Sequence, residues 1–294
     1  MVILAIINLI PESMNLFGGD WTEQKIEMIV GYAKAYLTIM NKYPQFKLLY
    51  FDGFAGSGDI SREGNKDLEG IKGAAVRILE LAHPKTFDVY YFVEKNDSNK
   101  DELERTVQKK FPDKKDRCYV VNEDCNVKLR DMAFFLKENK NYRVLAFIDP
   151  YGMSLKWSSI EALRGLEIDF WILVPTGIGV NRLLKNDGNI SDAWLNKLES
   201  FLGLSKEEII KHFYKKQDVN TLFGEETTIE KEKGAVNRVG QLYKEKLKTV
   251  FKFVSDSFVM KNSTNSIMYH FMMATNNASG LRIANDVVRP KYKL

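Results

Sequence analysis

The chain has 294 residues and a formal net charge of +4, with 45% hydrophobic and 28% charged residues. This is the composition of an ordinary globular protein, and it excludes a disordered, collagenous or disulfide-rich chain. The two cysteines form no Cys-x-x-Cys motif and the three histidines are scattered. We therefore predict neither a disulfide framework nor a metal site, and a cytoplasmic location. The mild positive charge permits a nucleic-acid partner without requiring one.

The first predicted segment is an N-terminal extension over residues 1–20. Its apolar run, MVILAIINLIP, ends well short of the ~20 residues that cross a bilayer and lacks the features of a signal peptide. We therefore predict no membrane association, with Met14 as an alternative start. A helix is expected next, because Thr22 can cap it and the apolar residues from Ile26 to Met40 recur at helical spacing.

The most informative stretch is residues 47–60, KLLYFDGFAGSGDI. Its continuous apolar run predicts a strand buried on both faces of a parallel sheet. Asp52 and a turn with three glycines follow at once, and glycine lets a backbone approach a ligand closely. A strand followed by such a turn is typical of the first half of a nucleotide-binding βα unit, although a plain tight connection is the alternative.

The residues around this turn discriminate between ligands. A phosphate-binding P-loop would continue with Gly-Lys-Ser/Thr, whereas Gly58 is followed by Asp59 and Ile60. A dinucleotide site would have a third glycine where Ser61 stands, and Asp59 would repel a pyrophosphate. S-adenosylmethionine carries a cationic sulfonium and no phosphate, so it is the predicted cofactor. The turn residues expected to contact it are Asp52, Gly53, Phe54, Ala55, Gly56, Ser57 and Gly58.

Two further predicted strands also end in acidic residues. The strand at 89–93 leads into Glu94-Lys95, where adenosine-binding Rossmann-type sheets place a carboxylate that binds the ribose hydroxyls. The strand at 119–121 leads to Asp124-Cys125, and Asp124 stands where such enzymes place a carboxylate against the adenine amine. We assign these residues to the cofactor site, with Cys125 expected to pack rather than react. Solvated strand-end carboxylates are the alternative.

The fourth predicted strand, residues 144–148, leads into Asp149-Pro150-Tyr151-Gly152 at the crevice that faces the first turn. A carboxylate there can accept a hydrogen bond from a substrate N–H, the proline rigidifies the turn, and the tyrosine offers a stacking face for a planar base. We therefore predict that Asp149, Pro150 and Tyr151 form a catalytic turn for methyl transfer to nitrogen. A β-turn with a packed tyrosine is the alternative.

The remaining segments complete the predicted fold. After a fifth strand at 169–174, Asn181 and Arg182 are candidates to line the cleft, and residues 190–233 are expected to form a helical insertion. A helix at 235–249 carries a basic face that either contacts phosphates or is simply solvated. Two β-rich stretches after this helix are expected to close the sheet. The predicted fold class is α/β, a Rossmann-like class I methyltransferase fold. Its seven-stranded mixed sheet, six strands parallel and one antiparallel, has helices on both faces, and the main domain covers 21–189 and 234–294.

With these segments in hand, the chain resembles the three-Cys-motif partner protein (TcmP) family, which is placed among methyltransferase-like proteins. The resemblance covers most of the chain from Phe17 onward. It is carried by FGGDWT with Lys25, YFDGFAGSG, YFVEKN, FIDPYGM followed by WSSIEAL, IDFWILVPTGIGVNR and ATNNASGLRIA. It implies the methyltransferase-like fold and a partner protein that carries the three cysteines, so the two cysteines of this chain are no contradiction.

A looser resemblance is to nucleic-acid amino-methyltransferases, through the phenylalanine-containing glycine turn and the Asp-Pro-aromatic turn. Here one proline is absent, which shifts where Tyr151 points. Cytosine-C5 chemistry is disfavoured, because no Pro-Cys turn follows the fourth strand. The leading hypothesis is thus an S-adenosylmethionine-dependent methyltransferase acting on a nitrogen of RNA or DNA, with Trp21, Thr22 and Lys25 closing over the cofactor. The alternative is a catalytically silent partner protein of the same fold in a mobile or defence-type gene cassette.

Overall fold

The computed structural model describes residues 21–60, 71–221 and 224–288, so the predicted extension over 1–20 lies outside the described residues. The helices are α1 (Trp21–Met40), α2 (Ala74–Leu79), α3 (Asp97–Lys110), α4 (Cys125–Glu138), α5 (Trp157–Glu161), α6 (Asn181–Leu183), α7 (Asp192–Leu202), α8 (Lys206–Phe213), α9 (Ala235–Lys248) and α10 (Ala278–Val288). The strands are β1 (Lys47–Asp52), β2 (Asp59–Ile60), β3 (Ile71–Lys72), β4 (Val89–Val93), β5 (Cys118–Val121), β6 (Tyr142–Ile148), β7 (Ile168–Val174), β8 (Tyr214–Thr221), β9 (Gly224–Lys231), β10 (Phe253–Val254), β11 (Phe258–Lys261) and β12 (Ile267–Thr275).

The central sheet has the strand order β10-β12-β7-β6-β1-β4-β5, with β11 also paired to β12. Strands β5, β4, β1, β6 and β7 are parallel to one another, and β12 runs antiparallel to β7. Both β10 and β11 are antiparallel to β12, and their registers are nearly continuous, so together they occupy one edge position. The sheet therefore has seven strand positions, six parallel and one antiparallel. This is the Rossmann-like class I methyltransferase fold, and the predicted fold class is confirmed.

The parallel strands form because their apolar runs can be buried on both faces. In β1, Leu48 and Tyr50 point into the layer of α1, α2, α3 and α10, whereas Leu49 and Phe51 point into the layer of α4, α5, α7 and α9. All of β7 is buried. Helices on both faces thus leave the carboxyl ends of the strands as the exposed rim on which turns can build a site.

The segment predicted as a helical insertion is only half helical. It contains α7 and α8, but the chain leaves the helix at Tyr214. Residues 214–231 instead form the antiparallel hairpin β8–β9, paired from Tyr214 with Lys231 to Thr221 with Gly224. The hairpin was missed because its sequence is polar and lacks the apolar alternation of a half-buried strand.

The base of the hairpin is anchored to the main domain. The Lys231 ammonium donates to the Leu184 carbonyl at 2.8 Å and to the Asn181 side chain at 3.3 Å. Burial lowers the pKa of Lys231. Since Asn181 is engaged in this way, it serves the attachment of the hairpin, while Arg182 remains exposed.

Candidate cofactor and active site

The glycine turn after β1 is held from several sides. Asp52 is buried, and its carboxylate accepts hydrogen bonds from the Phe54 amide at 3.1 Å and the Tyr50 hydroxyl at 3.4 Å. The Ala55 amide donates to the Val93 carbonyl at 3.0 Å, which ties the turn to the end of β4. These contacts fix the turn at the carboxyl edge of the sheet, with Ser57 half-exposed.

Three glycines make this turn possible for different reasons. A Cβ on Gly53 would lie 2.6 Å from the Cys125 sulfur and 2.8 Å from Ile148, so only glycine fits between them. Gly56 and Gly58 have φ values of 62° and 87°, which favour glycine. A Cβ on Gly56 would meet no atom within 4 Å, so the space beside this residue is open.

Glu94 connects the first turn to the turn after β4. The side chain is buried, one carboxylate oxygen accepts from the Gly56 amide at 2.9 Å, and the other accepts from the Asn96 amide at 2.7 Å. A carboxylate oxygen can accept more than one hydrogen bond. Glu94 is thus rigidly oriented and retains acceptor capacity for a ligand.

Asp124 caps α4 from the turn after β5. Its Oδ1 accepts from the Asn126 amide at 2.7 Å and side chain at 2.9 Å, and the exposed Lys95 lies 3.8 Å from Oδ2. Partial burial raises the pKa of Asp124, but the hydrogen bonds from Asn126 and the charges of Lys95 and Lys156 together outweigh this effect, so the pKa is lowered. Cys125 is buried, and burial raises the pKa of its thiol.

The turn after β6 brings Asp149 against α1. Asp149 forms a salt bridge with Lys25, and both side chains are largely shielded from solvent. Pro150 is buried, whereas Tyr151 is 69% exposed and meets the Phe54 ring edge-on at 6.1 Å. Lys25 was predicted as a cofactor contact, and its pairing with Asp149 was not foreseen.

The strand-end carboxylates act on one another. Burial has the largest effect on the pKa of Asp52, and the charges of Asp149 and Glu94 raise this pKa further. Partial burial likewise has the largest effect on the pKa of Tyr151, which the charges of Glu94, Asp149 and Asp52 also raise. Asp124 and Asp52 likewise raise the pKa of Cys125. The structure therefore brings the predicted carboxylates to one acidic rim at the carboxyl edge of the sheet.

Two residues at this rim were missed by the sequence analysis. Tyr269 lies on β12, and burial together with the charge of Asp149 raises its pKa to about 12. Asn126 donates to the Ser154 carbonyl at 2.9 Å and accepts from the Lys156 amide at 2.7 Å, so it ties α4 to the turn after β6. An Asp-x-Asn capping pattern could have indicated Asn126, but nothing local marks Tyr269.

The basic face of α9 is engaged within the chain. Lys244 lies 3.6 Å from Asp256, and Lys248 lies 2.8 Å from Glu245. Lys246 donates to the Gly203 carbonyl at 2.8 Å, and Arg238 donates to the carbonyl of His212. These contacts favour the structural interpretation of this face over phosphate binding.

The raised pKa of Asp52 predicts that the stability of the protein depends on pH. Burial raises the pKa of its carboxyl to about 7, whereas an unfolded aspartate titrates near about 3.9. The stabilising contribution of the bound proton is fully present below about pH 4 and is lost as pH rises to about 7, so the free energy of unfolding should fall across this window. Urea denaturation of Asp52→Asn should show a flatter profile than wild type. Equal slopes for both proteins would contradict the shift.

The described residues contain no group of three or more His, Cys, Asp or Glu side chains that could hold a metal ion. Within the same ranges, no helix has the length and apolar character needed to cross a bilayer.

Comparison with known proteins gives structural neighbours only. No family model matches the chain, and no curated protein matches it significantly. A Legionella pneumophila protein of the DUF519 family shares 16% identity with a TM-score of 0.40, covering 86% of this chain and 97% of its own. A conserved hypothetical protein from Streptococcus pyogenes shares 15% identity with a TM-score of 0.29, covering 67% of this chain and 95% of its own.

A further neighbour is Trm1 from Pyrococcus horikoshii, solved in complex with S-adenosyl-L-methionine. It shares 10% identity with a TM-score of 0.41, covering 95% of this chain and 61% of its own. Likenesses of this strength carry no functional argument. The chain thus has a class I methyltransferase-like fold by its own strand order, and its resemblance to TcmP proteins stays a prediction.

Proposed function

We propose that the chain is an S-adenosylmethionine-dependent methyltransferase that methylates a nitrogen of a nucleic-acid base. The observation that carries this proposal is the meeting of strand-end carboxylates beside a glycine turn, at one edge of a class I methyltransferase sheet. An acidic rim stabilises a cationic sulfonium and repels a phosphate, so it favours this cofactor over a dinucleotide.

The residues present fit the proposed cofactor. Glu94 is held by two backbone amides and has acceptor capacity for ribose hydroxyls. The open space beside Gly56 lets a ligand approach the backbone of the turn. When bound, S-adenosylmethionine supplies an electrophilic methyl group on a positively charged sulfur. Glu94 contributes negative charge on the cofactor side of the turn, and Asp52, whose pKa burial raises to about 7, adds to it as the pH rises above that value.

The acceptor side of the proposed reaction belongs to the Asp149 turn. Lys25 binds Oδ2 of Asp149. We assign Oδ1 and the Pro150 carbonyl to the N–H groups of the target amine, which orients the nitrogen lone pair. Transfer to the amine would break the S–CH3 bond of the cofactor as the C–N bond forms, the sulfur would leave as a neutral thioether, and the amine would lose one proton, for which Asp149 is the proposed acceptor. The exposed Tyr151 ring offers a stacking face for the base.

A catalytically silent partner protein is the second candidate. It is favoured by the salt bridge that already engages Asp149, and by the hairpin β8–β9, which forms a sheet of its own. In this role the chain would bind a protein with the three-cysteine motif, as the TcmP resemblance implies.

The test of the leading function has two stages. Isothermal titration should detect binding of S-adenosylmethionine and of its demethylated product. Tritiated methyl transfer to separate RNA, DNA and protein fractions should then label a nucleic acid. Absence of cofactor binding would contradict the proposal, whereas binding without labelling of any fraction would favour the partner role.

Lys25 provides a sharper prediction within this function. Lys25→Met should lower kcat by about 100-fold, because Asp149 loses the contact that holds it in place, and Lys25→Arg should retain most activity. Since Lys25 acts here through Asp149, the KM for S-adenosylmethionine should change little. A rise in KM with unchanged kcat would instead make Lys25 a direct cofactor contact.

A further inference from the structure

The pairing of β12 places Tyr269 at the carboxyl edge of the sheet. β12 runs antiparallel to β7, and its residue His270 is opposite Val174, the last residue of β7. Tyr269 therefore lies one step beyond the end of β7, at the edge where the turn after β6 carries Asp149. The Tyr269 side chain is half-buried and packs against the apolar cluster on the α1 face of the sheet.

Asp149 points to the same face of the sheet as Tyr269. Side chains alternate between the two faces along a strand, and Ile148, the residue before Asp149, belongs to the cluster on the opposite face. The salt bridge from Asp149 to Lys25 of α1 agrees with this direction. Burial has the largest effect on the pKa of Tyr269, and the charge of Asp149 raises it further. Tyr269 thus lies within electrostatic reach of the carboxylate that we assign to the target amine.

Two tyrosines flank Asp149 from opposite directions along the sheet. Strand β6, whose carboxyl end leads into Asp149, lies between β1 and β7 in the strand order. Tyr151 is on the β1 side, where its ring meets the Phe54 ring edge-on at 6.1 Å, whereas Tyr269 is on the side of β7 and β12. Glu94 and the glycine turn also lie on the β1 side. Tyr269 therefore borders the acceptor part of the site rather than the cofactor part.

The groups assigned to the target amine lie below the open surface. The Asp149 side chain is 24% exposed, and Pro150 is buried. In a duplex, the neighbouring bases cover both faces of each base, so a paired base cannot lie between two protein rings. A base that leaves its stack can exchange those neighbours for aromatic side chains. The arrangement therefore fits an unpaired nucleotide better than a base within a duplex.

We propose that Tyr269 is a specificity-determining residue of the acceptor site, and that the target base enters between Tyr151 and Tyr269 as an unpaired nucleotide. The two rings cover the faces of the base while Asp149 and Pro150 bind its amine. This inference rests on the proposed function, to which it adds the second ring and the unpaired state of the base.

Binding of short labelled oligonucleotides, measured by fluorescence anisotropy with the demethylated cofactor product present, tests this site without turnover. Wild type should bind a single strand of the nucleic acid that it methylates more tightly than the matching duplex. Tyr269→Leu keeps an apolar side chain against the cluster but should weaken single-strand binding by about tenfold or more, as expected when a ring that stacks on a base is lost. Tyr269→Phe keeps the ring and should bind within about threefold of wild type. The calorimetric affinity for S-adenosylmethionine should be unchanged in both variants.

Tyr119→Leu is the matched control, because Tyr119 is a 50% exposed tyrosine on β5, at the far edge of the sheet. It should bind single strands like wild type, and thermal unfolding checks that both leucine variants are folded. If wild type methylates a nucleic acid but prefers its duplex, or if Tyr269→Leu binds the single strand like wild type, this inference is overturned while the proposed function stands. If wild type methylates no nucleic acid, both are overturned.

Discussion

Asp149→Asn is expected to reduce methyl transfer by about 100- to 10,000-fold, the range expected when a positioned proton acceptor is removed. The amide keeps the shape of the side chain, but it loses the charge that pairs with Lys25 and that orients the target amine. Cofactor affinity should change little, because Asp149 is assigned to the acceptor. Tritiated methyl transfer with the responsive nucleic acid measures the loss, and calorimetry measures the affinity.

Asp116→Asn is the matched control for this substitution. Asp116 is an exposed acid just before β5. It therefore lies at the amino edge of the parallel strands, whereas Asp149 lies at their carboxyl edge. It should retain full activity. Wild-type rates in Asp149→Asn, with a folded protein by thermal unfolding, would remove the catalytic assignment of this turn.

Glu94→Gln is expected to weaken S-adenosylmethionine binding by about 10- to 100-fold, the loss that follows from removing hydrogen bonds to a charged group. The carboxylate accepts from two backbone amides, and a glutamine amide group would direct donors at one of them. The turn at Gly56 and the proposed ribose contacts should therefore be disturbed together. Calorimetric titration with the cofactor gives the change in affinity.

Two comparisons separate ribose binding from loss of structure. Glu102→Gln changes an exposed acid on α3 and should bind like wild type. For a cofactor analogue without ribose hydroxyls, Glu94→Gln should lose less affinity than it does for the cofactor, because only the disturbance of the turn remains. If Glu94→Gln loses as much affinity for the analogue as it loses for the cofactor, Glu94 acts on the turn rather than on the ribose.

Stability of the rim depends on contacts elsewhere in the fold. The buried Asp169 of β7 accepts hydrogen bonds from Tyr32 of α1, at 2.7 Å, and from Thr275 of β12. Burial raises the pKa of Asp169. Because α1 also carries Lys25, this contact helps to place Lys25 against Asp149. Asp169, which is remote from the rim, thereby helps to position Lys25 within it.

Local patterns predicted most of the sheet and the turns. The apolar runs of β1, β6 and β7 are continuous because these strands are buried on both faces over most of their length, and that signal is complete within a few residues. The glycine turn is equally local, since the positive φ values at Gly56 and Gly58 depend on their own backbone. The hairpin β8–β9 was missed because a polar two-stranded sheet leaves no apolar period to detect.

The sequence by itself determined the fold class, the succession of strands along the chain and the acidic residues that end them, because each of these follows from short-range periodicity and turn chemistry. Only the tertiary structure decided that Lys25 pairs with Asp149, that Glu94 holds Gly56, and that Tyr269 joins the rim. These contacts join residues far apart in the chain, and charge attraction or hydrogen bonding between them depends on distance in space. Such a distance cannot be read from a local sequence pattern, because it is set only when the sheet brings the strand ends together.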